Sequence, residues 1–109
     1  MNTQDNITGT TLNVKDFVSY QKGSVVSRTL ITKEFGTVTV FAFDKDQGLS
    51  EHTAPFDALV HIIDGKAQIN VNKIEHIVKE GEMIIMPADK PHSLQAIEKF
   101  KMMLIMIKK

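Results

Sequence analysis

Residues 48–65 read GLSEHTAPFDALVHIIDG, and how they are placed decides what kind of protein this is. His52 stands in a polar approach containing glycine and serine, and the apolar residues begin only at Ala58. Alternate side chains of an extended chain share a face, so His52, Ala54, Ala58, Val60 and Ile62 point one way if no bulge intervenes. His61 then belongs to the opposite face. The shared face begins with an imidazole, as a metal site does, but continues with methyl groups where further donors would stand.

The rest of the chain has the same extended character. From residue 24 on, β-branched and aromatic runs are short and no apolar pattern of period 3.6 lasts more than two turns. The expected strands are 25–32, 37–44, 58–63, 67–71, 75–78, 83–86, 92–96 and 100–107. Gly36, Asp64-Gly65, Asn72-Lys73 and Glu80-Gly81 are among the turn residues between them. Short, evenly spaced strands predict an all-β sandwich or barrel over residues 24–109. Residues 1–23 form an N-terminal arm, loose over the Thr- and Asn-rich residues 1–11, with Asn13 capping a single helical turn through Phe17 and Val18.

Composition narrows the partners. A chain of 109 residues, 42% hydrophobic, suits one core. Thirteen basic and thirteen acidic residues balance, so no net field favours nucleic acid or an anionic membrane, and neither is expected as a partner. The absence of cysteine removes disulfides, thiolate metal sites and cysteine nucleophiles. The N-terminus lacks an apolar signal segment and the longest apolar run, 102–107, is far too short to cross a bilayer, so a cytoplasmic protein is expected. Two runs, 59–63, interrupted only by His61, and 102–107, are apolar on both faces. One interior covers only one face, so the outer one must meet the arm or a second subunit, and a homodimer is expected. The methionines at 102, 103 and 106 are read as packing side chains.

A second stretch, GEMIIMPADKPH at 81–92, carries the more specific spacing. Together the two stretches resemble the paired motifs of the cupin family, over about residues 37–107. Gly65 closes the first motif and His52 takes its first histidine, while Ala54 stands at its second histidine and Ala58 at its glutamate. In the second motif Gly81, Pro87 and His92 are in register, with Asp89 replacing an inner glycine and Ala96 an asparagine. The resemblance implies a double-stranded β-helix, the jelly-roll or cupin barrel. Family members that hold a divalent transition metal use three imidazoles and a carboxylate, and this chain keeps two imidazoles.

His52 and His92 are therefore the candidate site, with Val60 and Ile62 as candidate ligand-binding neighbours and Phe41 or Phe43 and Met83 or Ile85 as further lining. Two neutral nitrogens leave a metal ion most of its water, so Zn, Mn, Fe or Ni needs a third donor. Asp57 is the nearest candidate, one residue from the glutamate position, and faces outward unless a bulge turns it. His61 and His76 are read as interface or surface residues, and no nucleophile elbow, phosphate loop or dinucleotide fingerprint is present. Three functions follow. The first is a small-molecule binding module. The second, which the resemblance implies, is a metal-dependent dioxygenase, isomerase or lyase, and the third a dimerisation module with an empty pocket.

Overall fold

β-Branched and aromatic runs closed by turn residues become strands throughout the computed structural model, which describes residues 7–109. They are β1 (Val25–Lys33), β2 (Gly36–Phe43), β3 (Gly48–His52), β4 (Phe56–Val71), β5 (Ile74–Lys79), β6 (Met83–Met86), β7 (His92–Gln95) and β8 (Phe100–Lys108). All pairings are antiparallel. One sheet runs β1-β2-β8-β4-β6 and the other β3-β7-β4-β5, so β4 belongs to both. The two curl around a common apolar interior, giving the all-β jelly-roll barrel.

The sharing of β4 corrects one expectation. Residues 58–63 and 67–71 form one 16-residue strand, and Asp64-Gly65 is a bulge within it rather than a turn between two. Its pairing with β8 slips between Ile62 and Asp64, and Gly65 adopts a φ of +74°. A left-handed residue in a bulge bends a strand and increases its twist, which here carries β4 from one sheet into the other. A Cβ on Gly65 would lie 2.2 Å from the Lys99 carbonyl oxygen, so the glycine is required for close approach as well as for φ.

Strand β3 is absent from the expected set, where its residues form only a polar approach. Its side chains are exposed apart from Leu49, so it carries almost no apolar signal, and what holds it is pairing with β7, at Leu49 to Leu94 and His52 to His92. The observed burial pattern of β4 follows the expected alternation: Ala58, Val60 and Ile62 face in and Asp57, Leu59 and His61 face out. The interior gathers Phe43, Val60, Ile62, Ile69, Phe100 and Met102, all at most 1% exposed, with Phe43 and Phe100 stacked at 4.6 Å between centroids.

A second apolar cluster lies on the outer face of the five-stranded sheet. Asn13 caps a 3₁₀ turn at Val14–Phe17, its side-chain oxygen accepting from the Lys15 amide. The segment then lays Val14, Val18 and Tyr20 over Val40, Ala42, Ile63 and Met103, and Val18 is 2% exposed. Tyr20 donates to the Asp64 carboxylate, and burial together with that contact pushes its phenol well above the usual range. The arm is thus seated from residue 14 on, while residues 8–13 are exposed. Residues 1–6 of the expected loose arm lie outside the described residues.

Candidate functional site

The pairing of β3 with β7 sets His52 and His92 opposite one another in register. Their Nε2 atoms are 3.1 Å apart and their rings meet edge to face at 4.3 Å between centroids. Behind each ring a backbone carbonyl holds Nδ1: Ser50 at 2.7 Å for His52 and Lys90 at 3.1 Å for His92. His92 is 7% exposed, the one polar side chain buried in the core among the described residues, whereas His52 is exposed.

The protons of this arrangement can be counted. A carbonyl oxygen only accepts, so each Nδ1 bonded to one carries a hydrogen, and the contact between the two Nε2 atoms needs a third. Two neutral rings carry two. The neutral pair therefore leaves one contact unmet, and either an added proton or an O–H or N–H donor from a ligand supplies what is missing. Burial lowers the pKa of His92, the Lys90 carbonyl raises it, and the charge of a protonated His52 lowers it again, for a net fall.

That direction carries a prediction. Between the lowered pKa and the unfolded value near ~6.5, the unfolded chain binds more protons at residue 92 than the folded chain does. Stability on this account is fully present above about pH 6.5 and declines as pH drops through the window. Urea midpoints measured from pH 7.5 to 5 (roughly one unit either side of the imidazole range) will fall for the parent, and His92→Gln will flatten the curve.

The pair opens on an apolar cavity of about 60 Å³ lined by Leu49, Ala54, Ala58, Met86, Leu94 and Leu104, among others. At roughly 10–15 Å³ for each water-sized occupant, it takes a group of about four to six non-hydrogen atoms. Apart from the two imidazoles, every side chain in its lining is apolar.

The other site residues expected from sequence are placed elsewhere. Val60 and Ile62 are fully buried in the core but do not line the cavity. Phe43 is likewise buried, stacked on Phe100. Met83 and Ile85 are 53% and 56% exposed on the outer face, because the register of β6 with β4 sets Met86 beside Ala58 and turns Ile84 and Met86 inward. Met86, Met102 and Met106 do line the cavity. The alternation of 102, 104 and 106 along β8 is the sequence signal for the last two.

Asp57 does not join the imidazoles. Its carboxylate accepts from the Ala88 amide at 2.9 Å, tying the start of β4 to the loop after β6. His61 faces out between Met83 and Met103, and His76 is exposed on β5. Two nitrogens 3.1 Å apart match two ligands on one ion at about 2.0–2.1 Å each. Among the described residues, however, no group of three His, Cys, Asp or Glu side chains converges, so the donor set does not fit a resident metal held by the protein.

Comparison with known proteins adds the family. The cupin domain family matches residues 39–108 in sequence. A conserved protein of unknown function from Streptococcus pyogenes is 37% identical, with a TM-score of 0.89 over 93% of this chain and 89% of that one. A cupin 2 conserved barrel domain protein from Leptotrichia buccalis is 41% identical, with a TM-score of 0.87 over 89% of this chain but only 47% of its own length. A cupin superfamily protein from Desulfitobacterium hafniense shares the fold at 22% identity and a TM-score of 0.86, covering 90% of each chain. No curated protein matches the sequence. Barrel, paired motifs and family match agree, and this chain belongs to the cupin domain family.

Proposed function

We propose that the protein is a binding module for a small, mainly apolar molecule whose one polar end engages His52 and His92. The observation that carries this reading is the convergence of two Nε2 atoms, one hydrogen short when both rings are neutral, at the mouth of an otherwise apolar cavity. The two alanines at motif positions favour it as well. Methyl groups in place of an imidazole and a carboxylate leave room and remove charge, which suits an uncharged group or a small carboxylic acid. Balanced charge across the chain gives no field that favours nucleic acid or an anionic membrane as partner, and a cytoplasmic setting is proposed on the apolar runs being too short for a membrane span.

A metal-dependent enzyme of dioxygenase, isomerase or lyase type is the second reading, and the Nε2 separation favours it. It ranks below binding because substrate or water would have to supply every remaining donor.

The test uses short alcohols, primary amides and carboxylic acids of about four to six non-hydrogen atoms, the range the cavity admits. Each is titrated at millimolar concentration while the ring signals of His52 and His92 are followed by NMR. The expected result is a saturable shift of both rings for at least one class, weakened about tenfold or more in His92→Ala, as loss of a hydrogen bond to a buried partner would do. If no probe moves either ring, the pocket reading is lost.

A further inference from the structure

His61, outside the barrel pocket, has sulfur on both sides. Pairing of β4 with β6 sets it opposite Met83, and pairing of β4 with β8 sets it opposite Met103. Register partners in a sheet point to the same side, so Met83, His61 and Met103 form one line across three adjacent strands on the outer face. Alternation along β8 gives Met103 this direction and turns Met102 into the core. The line is open to solvent at one end, since Met83 is exposed, while His61 and Met103 are half-buried. The central imidazole is available as well. His52 and His92 each engage a backbone carbonyl through Nδ1, whereas neither ring nitrogen of His61 has a hydrogen-bond partner among the described residues.

We infer that Met83, His61 and Met103 form a site for a soft monovalent cation, Cu(I) or Ag(I), taken by two thioether sulfurs and one imidazole nitrogen. Thioether is a soft, uncharged donor that selects Cu(I), and imidazole suits copper too. Zinc sites are built from thiolate, imidazole and carboxylate, so this donor set is a poor match for Zn²⁺. An approach is open. His61 lines a depression of about 350 Å³ between residues 13–15 of the arm and Glu80-Gly81 at the turn between β5 and β6. Lys15, the basic residue on its rim, is paired with Glu80 at 3.2 Å, which offsets its charge.

The reach suffices. Strand spacing sets each methionine Cβ about 4.5–5.5 Å from that of the central histidine. The unbranched, flexible methionine chain lets either sulfur lean toward an ion at the ring without moving the sheet. Packing accounts for Met103 in part, because it lies against the cluster under the arm, but it does not account for Met83. The site is also separate from the barrel pocket. β4 sends Val60 and Ile62 inward and His61 outward, so the sheet itself stands between this line and the cavity beside His52 and His92.

Silver nitrate is the probe, since Ag(I) shares the softness of Cu(I) without its ready oxidation. It is titrated into the full chain while the methionine methyl and histidine ring signals are followed by NMR. Met83, Met103 and His61 will shift together and saturate at a single equivalent, with the His52 and His92 rings unmoved at that ratio. Zn²⁺ at the same concentration will leave the three signals in place. Met83→Leu/Met103→Leu conserves volume and so the fold, which unchanged far-ultraviolet dichroism will verify. It will weaken Ag(I) binding about a hundredfold or more, the upper end of what removing even an outer partner of a metal ligand costs. His61→Gln, at a half-buried surface position, will weaken it about tenfold or more. Ag(I) that shifts the His52 and His92 rings first, Zn²⁺ that saturates the same three signals, or either variant binding as tightly as the parent would each overturn the assignment.

Discussion

Ala54→His/Ala58→Glu will bind one divalent transition metal at least about a thousandfold more tightly than the parent, some 4 kcal/mol. Both alanines line the cavity onto which the imidazoles open, so the two new side chains enter the space the existing nitrogens face. They raise the donor set from two neutral nitrogens to three nitrogens and a carboxylate, enough to replace the water that two donors leave on the ion. The gain has an opposing cost. Without metal, a carboxylate placed among Met86, Leu94 and Leu104 will destabilise the variant by about 1–3 kcal/mol. Saturating Zn²⁺ will more than restore the loss, because an ion bound only by the folded state stabilises it by mass action. The added side chains also fill the small cavity, so the probes that shift the His52 and His92 signals in the parent will no longer do so. Calorimetric titration and elemental analysis read the first effect, thermal unfolding with and without Zn²⁺ the second. A double variant that retains no metal would show that positions 54 and 58 do not aim at the imidazole pair.

Gly65→Val will cost about 3–5 kcal/mol, a large share of the ~5–15 kcal/mol that holds a domain of this size together. Two causes act at once. A β-branched residue is poorly tolerated at a φ of +74°. The new Cβ would also lie 2.2 Å from the Lys99 carbonyl oxygen and 3.0 Å from the Phe100 Cα, both backbone atoms that cannot swing aside. Gly81 separates these causes. Its φ of +87° is equally left-handed, but nothing lies within 4 Å of where a Cβ would stand, so Gly81→Ala will lose only the strain, about 1 kcal/mol. Urea unfolding measures both. Should Gly65→Val come within about 1 kcal/mol of the parent, the crowding of β4 against β8 at the bulge would be refuted.

The glycine illustrates how local and distant information divide. The cupin resemblance marks Gly65 as the close of the first motif, yet its role as a bulge that passes one strand between two sheets depends on Phe100, a residue 35 positions away in the chain. Asp57 shows the same division. Parity along the strand turns it outward, but only the fold supplies the Ala88 amide that engages its carboxylate.

What could be read from residue order was the all-β character and the inward face of β4, which follow from strand period and turn residues; the choice of His52 and His92 as a pair came from the resemblance to the cupin motifs. Tertiary structure alone decided that β3 is a strand, that Met86 and not Met83 lines the cavity, that Val60 and Ile62 are packed away from it, and that the Nε2 atoms stand 3.1 Å apart. Alternation tells which side of a sheet a residue takes. It is silent on how far along the barrel that residue sits or which strand lies beside it, because register between distant segments is chosen by the packing of the whole core.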